Sequence, residues 1–462
     1  MSITSQASQR ITALLDDNSF VEIGAMVTAR ATDFNLKQTE TPSDGCITGY
    51  GVIEGNLVYV YSQDASVLGG SIGEMHAKKI AGLYDLAMKT GAPVIGLIDS
   101  AGLRLQEATD ALNAFGEIYK KQTLASGVIP QITAVFGTCG SGLALFPALT
   151  DFTFMEEKKA RLFVNAPNAL AGNEISKCDT SSAAFQSEEA GIVDFVGDEA
   201  AVLGQIRDLV CMLPSNNEDD NSFVECTDDL NRAEASLANC VGDTSIALST
   251  IADDNAFVEV KAAYAKEMVT GFMKLNGITV GAVANRCEVY NDEGEKTASF
   301  DAALSPAGCD KAAEFVNVNG FTADKCSEKK IAKAAARLTY AFADATVPKV
   351  NVIIGKAYGS AYVAMNSKAI GADMTYCWPD AEIGTMDAKL AAKIICDGQG
   401  ADAVNECAKE YAYLQTSAVS AAKRGYVDAI IEPADTRKYV IGAFEMLFTK
   451  REDRPAKKHG TV

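Results

Sequence analysis

Apolar positions along the chain follow two different periods, and the alternation between them indicates the fold. Over Glu74 to Thr90 apolar residues return at helical spacing, with Ile80, Leu83, Tyr84 and Ala87 on one face, which predicts an amphipathic helix. The run APVIGLID (Ala92 to Asp99) is apolar almost throughout and reads as a buried strand. Between them in kind, ITGYGVIEGNLVYVYS (Ile47 to Ser62) places two strand-like stretches around Glu54-Gly55-Asn56 and reads as a β-hairpin. Hairpins, buried strands and amphipathic helices in alternation favour an α/β layered fold.

The same units occur twice. ITALLDDNSFVEIGA (Ile11 to Ala25) recurs as LSTIADDNAFVEVKA (Leu248 to Ala262), and the hairpin is echoed by VTGFMKLNGITVGAVA (Val269 to Ala284) around Asn276-Gly277. IPQITAVFGTCGSG (Ile129 to Gly142) matches VPKVNVIIGKAYGSA (Val347 to Ala361), a Pro-introduced strand entering a Gly-Ser turn, with Ser141 opposite Ser360 at an offset of 219 residues. AGIVDFV (Ala190 to Val196) resembles RGYVDAI (Arg424 to Ile430). Four matches in one order indicate duplication, with domains at 1–220 and 237–462. The acidic, Asn-rich stretch Ser215 to Ser236 reads as a solvated linker between them. The copies differ in length: Lys78 to Pro130 is 52 steps, but Lys311 to Pro348 only 37, so the C-terminal copy is shortened by about one strand and part of a helix.

Composition narrows the function. With 462 residues, 48% hydrophobic and 22% charged, the chain has the make-up of a packed multidomain protein. A formal charge of −20 argues against a nucleic-acid partner. Twelve cysteines without a Cys-x-x-Cys pair suit a reducing compartment and read mainly as small core residues, with no metal site. Neither a basic-then-apolar N-terminus nor a run of about 18 apolar residues occurs, which predicts a cytoplasmic chain that spans no membrane.

The Gly-Ser turns carry the candidate chemistry. A strand leading through small residues into a helix leaves backbone N–H groups unpaired at the positive end of the helix dipole, suited to a developing oxyanion. The candidates are Cys139-Gly140-Ser141-Gly142 and Tyr358-Gly359-Ser360-Ala361, although tight strand-to-helix connections need the same residues for purely structural reasons. Two histidines leave no Ser-His-Asp set, and no phosphate-binding loop for ATP is present. His76 reads as a structural or ligand-adjacent helix residue. Leu86-Ala87-Met88-Lys89-Thr90 superficially resembles a biotin-attachment motif, but its surroundings read as a helix end.

The runs GCITGYGVIEGNLVYVYSQDASVLGGSIGEMHAKKI, DSAGLRLQEA, GEIYKKQTLASGVIPQI and PALTDF, with KAYGSAYVAMNSKAIGADMTYCWPDAEIGTMDAK and GYVDAIIEPADTR in the second half, closely resemble the carboxyltransferase subunits of biotin-dependent acyl-CoA carboxylases and decarboxylases. The resemblance implies tandem crotonase-like (ββα-spiral) domains, the first binding a coenzyme A thioester and the second the carboxybiotin of a biotin carboxyl carrier protein. It also implies an active site shared between the N half of one subunit and the C half of another, hence a homo-oligomer, a hexamer built as a ring of dimers. A biotin carboxylase or a membrane decarboxylase subunit would be the further partner. By the same resemblance Ser141 and Gly142 hold the thioester enolate oxygen, and Ser360 and Ala361 the biotin ureido oxygen. The family usually has Gly at the first position of each pair. Val363 falls on an acyl-pocket position, and Gly140, Tyr358 and Gly359 belong to the same turns. Arg104 is the best placed cation for the coenzyme A phosphates, ahead of Lys78 and Lys79, and Gly69-Gly70 allows close approach of ligand.

The shortened copy departs from the family pattern: only Asn317-Val318-Asn319-Gly320-Phe321 stands where a buried strand and an Asp-x-Pro-Gly-Phe-like loop are expected. Three readings compete. Phe315 to Val318 join the sheet at the helix's expense, the sequence is itself incomplete here, or the subunit folds having lost the biotin half-reaction. Two rival functions stand beside the carboxyltransferase: a biotin-independent crotonase-like acyl-CoA enzyme, and a non-catalytic ring-forming subunit. The zinc ribbon found on some carboxyltransferase subunits has no counterpart in this sequence, which points away from that branch. Neither the acyl group nor the direction of transfer follows from the sequence.

Overall fold

The computed structural model describes residues 5–30, 40–219, 226–239, 242–291, 293–301, 303–316 and 327–452. The chain separates into two compact units, Met1–Ser222 with Lys261–Tyr264, and Phe223–Val260 with Ala265–Val462.

The first unit contains β1 (Val21–Ile23), β2 (Cys46–Ile53), β3 (Asn56–Gln63), β4 (Val94–Ile98), β5 (Gln131–Val135), β6 (Thr138–Gly140), β7 (Phe152–Glu156), β8 (Arg161–Phe163) and β9 (Phe195–Gly197). Seven of them make one sheet in the order β1-β2-β3-β4-β5-β7-β9, antiparallel through β3 and parallel from there on, and β6 pairs with β8 in a small second layer. The hairpin turns through Glu54 and Gly55, both at positive φ (47° and 82°), the geometry that suits the twist of the flanking strands. The helix Glu74–Thr90 buries Ile80, Leu83, Tyr84 and Ala87 and stops at Gly91 in the left-handed conformation. All five residues of β4 are buried, as a central parallel strand requires.

The second unit contains β10 (Phe257–Val260), β11 (Met268–Leu275), β12 (Ile278–Asn285), β13 (Glu288–Tyr290), β14 (Lys296–Ser299), β15 (Val350–Ile353), β16 (Lys356–Tyr358), β17 (Met374–Cys377), β18 (Glu382–Gly384) and β19 (Ala429–Ile430). Here the sheet is split into β10-β11-β12 and β15-β17-β19, with β16-β18 and β13-β14 as small pairs. The counterparts of β1-β2-β3 and β5-β7-β9 are present, and among the described residues no strand stands in the place of β4. The idea that Phe315 to Val318 supply that strand is corrected for its described part: Phe315 and Val316 end the helix Pro306–Val316. Phe315 packs at 5.0 Å against Phe272, the rings tilted by 49°, and lies against Gly281. Asn317 to Phe321 lie outside the described residues. One apolar cluster spans both partial sheets, taking Met273, Leu275 and Ala282 from the first and Tyr376 from the second, with Trp378 just past the end of β17, under Val440 and Ile441.

The repeated polar residues do the same work in both units. Asp16 accepts from the Gly55 amide and from Arg207, which also donates to Leu14 O; Asp253 accepts from the Asn276 and Gly277 amides and from Arg437, which also donates to Ile251 O. The Gly-x-Val-Asp carboxylates, Asp194 and Asp428, accept from the amides of Thr153 and Thr375 in the neighbouring strands. The stretch read as a solvated linker is partly packed instead: Asp228 lies 3.4 Å from the Arg437 guanidinium, Arg232 donates to Ala252 O, and Leu237 is buried. The cysteines are mixed, with Cys46, Cys139, Cys309 and Cys377 buried, Cys178 exposed, and the other described ones half-buried. No helix among the described residues is long and apolar enough to cross a membrane.

Candidate active site

In the first unit β6 delivers the chain to its turn. Gly140 is extended (φ −117°, ψ 157°), Ser141 takes φ +58°, and Ser141–Ala144 begins a short helical turn. Gly140 is required by packing, since a Cβ there would come within 2.7 Å of the Phe163 ring on β8. Ser141 is exposed, and its backbone occupies a region that side-chain-bearing residues seldom adopt. Behind the turn the Tyr119 hydroxyl donates to Gly142 O at 2.7 Å, and the Cys139 thiol faces Leu143 O at 3.5 Å.

Two loops at the C-terminal ends of β3 and β4 lie beside this turn, the usual place for a ligand in parallel α/β sheets. Leu68, Gly69 and Gly70 run in succession at positive φ (50°, 65° and 64°). A Cβ at Gly70 would come 2.4 Å from Asp99 O, so that glycine is fixed by backbone approach. Ala101 N donates to Gly69 O (2.9 Å), the Ser100 hydroxyl to Gly70 O (2.7 Å), and Ser100 N to Thr138 O (3.0 Å). Gly69, Gly70 and the Gly140–Gly142 turn are thereby brought together through the loop after β4.

Arg104 does not face outward to a phosphate. It is 1% exposed, and its guanidinium is committed to Asp44 (2.6 Å), Glu107 (2.9 Å), the Ser71 hydroxyl (3.2 Å) and Ser71 O (2.6 Å). A cation this deep is stable only when paired, and here it cross-links three loops. His76 belongs to the same network: its amide donates to Asp44 Oδ2, its Nδ1 lies 3.0 Å from Asp44 O, and its Nε2 3.2 Å from Gln63 Nε2. Burial, and after it the Arg104 charge, pulls the His76 pKa down to about 3, so the ring is neutral. Burial likewise raises Asp44 against the pull of Arg104, and lowers Lys79, whose ammonium is enclosed by the carbonyls of Ser43 and Cys46. Lys78 is exposed and pairs with Glu74.

In the second unit β16 leads into the helix Gly359–Ala364. Tyr358 is extended (φ −121°, ψ 146°) and Gly359 takes φ +61°. This reproduces Gly140 followed by Ser141 and shifts the expected equivalence by one residue: Ser141 corresponds to Gly359, and Gly142 to Ser360. Strand pairing agrees, because Gly140 lies opposite Phe163 and Tyr358 opposite Gly384, one glycine and one aromatic in each pair but on opposite strands. Ser360, Ala361 and Val363 are exposed on the helix, and Tyr358 donates its hydroxyl to Glu382. No segment of the described second unit matches the Asp99–Glu107 loop.

Sequence reasoning missed Tyr119, Ser100 and the Asp44–Arg104–Glu107 cluster. Tyr119 lies at helical spacing from the buried Phe115 and Gln122, but no local signal in the sequence marks the partner of its hydroxyl.

A family model described as the carboxyl transferase domain matches residues 5–462. The α subunit of methylmalonyl-CoA decarboxylase from Veillonella parvula is 40% identical, over 99% of this chain and 92% of its own. The propionyl-CoA carboxylase β chain of Roseobacter denitrificans is 38% identical, over 99% of this chain and 93% of its own. Among solved structures, transcarboxylase 12S, described as a hexamer assembly with hydrolysed methylmalonyl-coenzyme A bound, superposes with a TM-score of 0.91 at 36% identity, covering 98% of this chain and 92% of that one. The architecture is therefore the α/β tandem crotonase-like fold that the resemblance implied, with no counterpart of β4 among the described residues of its second copy. On a match that runs from residue 5 to the last residue, the chain belongs to the carboxyl transferase family.

Proposed function

We propose that this chain is the carboxyltransferase subunit that moves a carboxyl group between biotin on a carrier protein and the α-carbon of a short acyl-CoA. The observation that carries the reading is the repeated turn: two strands, β6 and β16, enter a helical turn through an extended residue and then a positive φ, leaving amides at Gly142 and Ser360 in equivalent places. We assign the first unit to the acyl-CoA and the second to the carboxybiotin. Ser141 and Gly142, and Ser360 and Ala361, are the expected donor pairs; under the one-residue shift Gly142 and Ser360 are the members common to either way of matching them.

The second-unit turn suits a ureido oxygen. Ser360 and Ala361 are exposed and bring the first amides of their helix, which have no partner within it. When bound, biotin supplies the transferable carboxyl group and a nitrogen that exchanges a proton with the α-carbon, so no side-chain base is needed. The chain's own part is electrostatic: donors fixed before the reaction stabilise the enolate oxygen as charge develops on it, without reorganisation at that moment. Gly69 and Gly70 let the thioester approach backbone, and Val363, Tyr358 and Gly359 line the second turn. We further place the subunit in the cytoplasm as a six-copy ring, working with a biotin carboxylase or a membrane decarboxylase subunit.

The deciding experiment is decarboxylation of methylmalonyl-CoA by the purified chain, with and without biotin or a biotinylated carrier. Biotin-dependent turnover supports the proposal, and turnover indifferent to biotin favours a biotin-independent crotonase-like enzyme. Coenzyme A binding without turnover favours a ring-forming subunit without catalysis, the reading to which the split second sheet lends weight.

A further inference from the structure

We propose that Tyr119 is a positioning residue that holds the first-unit donor turn in its working conformation against the backbone strain introduced by Ser141. The inference rests on the proposed function for its chemical meaning and on the fold alone for its structural content. Three observations carry it. Ser141 stands at φ +58°, while the second unit has Gly359 at the matching position (φ +61°), so only the first turn keeps a side chain in the left-handed region. The Tyr119 hydroxyl donates to Gly142 O at 2.7 Å, one residue past the strained position. The Tyr119 ring is itself fixed, edge-on to Phe146 (centroids 5.8 Å, 89°) and to Phe115 (6.1 Å, 61°).

The mechanism follows from peptide geometry. In a trans peptide the carbonyl and the following amide point in opposite directions, so a donor that anchors Gly142 O from behind fixes the direction of the Leu143 N–H and, through the chain, of the Gly142 N–H. A Cβ at Gly142 would sit 3.1 Å from the Tyr119 oxygen, so the hydroxyl also reserves that position for glycine. Burial raises the phenol pKa, which keeps the proton in place for donation. Without the hydroxyl, the turn can relax towards negative φ at Ser141, and its amides lose their common aim.

The test is a double-mutant cycle of Tyr119→Phe and Ser141→Gly, read in two ways. Tyr119→Phe keeps the ring and its packing, so thermal midpoints confirm that each variant folds. In amide exchange by mass spectrometry, Tyr119→Phe is expected to raise exchange in a peptide covering residues 141–145, with Ser141→Gly reducing that increase. In turnover, Tyr119→Phe is expected to lower kcat about tenfold with little change in KM, the pattern for an interaction made in the transition state. In the Ser141→Gly background the same change should cost no more than about threefold. Unchanged exchange at residues 141–145, or an equal loss of kcat in both backgrounds, overturns the proposal. If the unsubstituted chain shows no turnover, the functional reading fails, and exchange alone still decides the positioning role.

Discussion

The first unit runs one sheet through seven strands, whereas the second, among its described residues, carries out the same plan in two sheets of three. What β4 contributes is visible in its neighbours. From Val58 to Gln63 β3 is buried without a break and β5 is buried throughout, but in β12 only Ala282 is buried and in β15 only Ile353. A central strand thus satisfies two backbone edges and covers two rows of side chains, and where the described residues provide none, both lie half-exposed. The second unit is held instead by the apolar layer beneath the helix Thr436–Leu447, which reaches under both partial sheets. Apolar cover can be shared across the gap between two partial sheets; hydrogen bonds cannot. Amide exchange should therefore separate the units most widely, with peptides from β3, β4 and β5 protected for times at which β12 and β15 have exchanged fully. Equal protection would mean that the edges of β12 and β15 are paired in solution.

The duplicated arginines offer the next comparison. Arg437 is fully buried between Asp253 and Asp228, while Arg207 makes the matching bonds to Asp16 and Leu14 O at 25% exposure. Arg437→Met strands two carboxylates in or near the core and should cost about 3–5 kcal/mol. Arg207→Met, its counterpart against solvent, should cost about 1 kcal/mol or less. Urea or thermal unfolding of the two variants measures the difference. Similar losses would show that burial does not set the value of this device.

Placing a proline on each donor turn compares the units chemically. Gly142→Pro and Ser360→Pro each remove one amide, and each should lower biotin-dependent transfer by about 10²–10³-fold, the cost of a single oxyanion donor. Near-normal transfer by a folded Gly142→Pro variant would sink the assignment of that donor, and the same result for Ser360→Pro would leave the second unit without its proposed role.

The halves of the plan that were legible in the sequence are those written in local pattern. Helical periodicity placed Glu74–Thr90, an unbroken apolar run placed β4, and Glu54-Gly55 and Asn276-Gly277 placed the hairpins, because each signal acts within a few residues. Duplication was legible for the same reason, and the structure adds why its polar members recur: Asp16 and Asp253 hold hairpin turns, and Asp194 and Asp428 hold strand amides. What was not legible depends on depth and on exact backbone register. Arg104 beside a glycine-rich motif reads as a phosphate ligand until its enclosure by Asp44, Glu107 and Ser71 is seen. Matching Ser141 to Ser360 by letter misses that a positive φ, at Ser141 in one turn and Gly359 in the other, sets the true correspondence.

The smallest effect concerns a group the second unit does not have. Its described part contains no histidine, whereas the first unit buries His76 completely between Asp44, Gln63 and the Arg104 charge. With its pKa pulled down to about 3, His76 refuses the proton that the unfolded chain accepts near 6.5. Below pH 6.5 the unfolded state therefore binds the extra proton, and stability falls as pH drops; above 6.5 both states are neutral at this position and the dependence vanishes. From pH 6.5 to 5 the loss amounts to about 2 kcal/mol at the usual 1.4 kcal/mol per unit. Asp151 opposes it, because burial raises its pKa to about 6 and the folded state gains a proton as pH falls below that value. The wild-type slope therefore sums terms of both signs, from Asp44 and the ion-paired carboxylates as well, and His76→Gln removes one of them by putting a non-titrating amide in the same cavity. Unfolding measured at pH 5 and 7 should show the variant losing less stability on acidification than the wild type by up to that amount, while an identical pH dependence would mean that His76 takes up its proton without opening the network around Asp44.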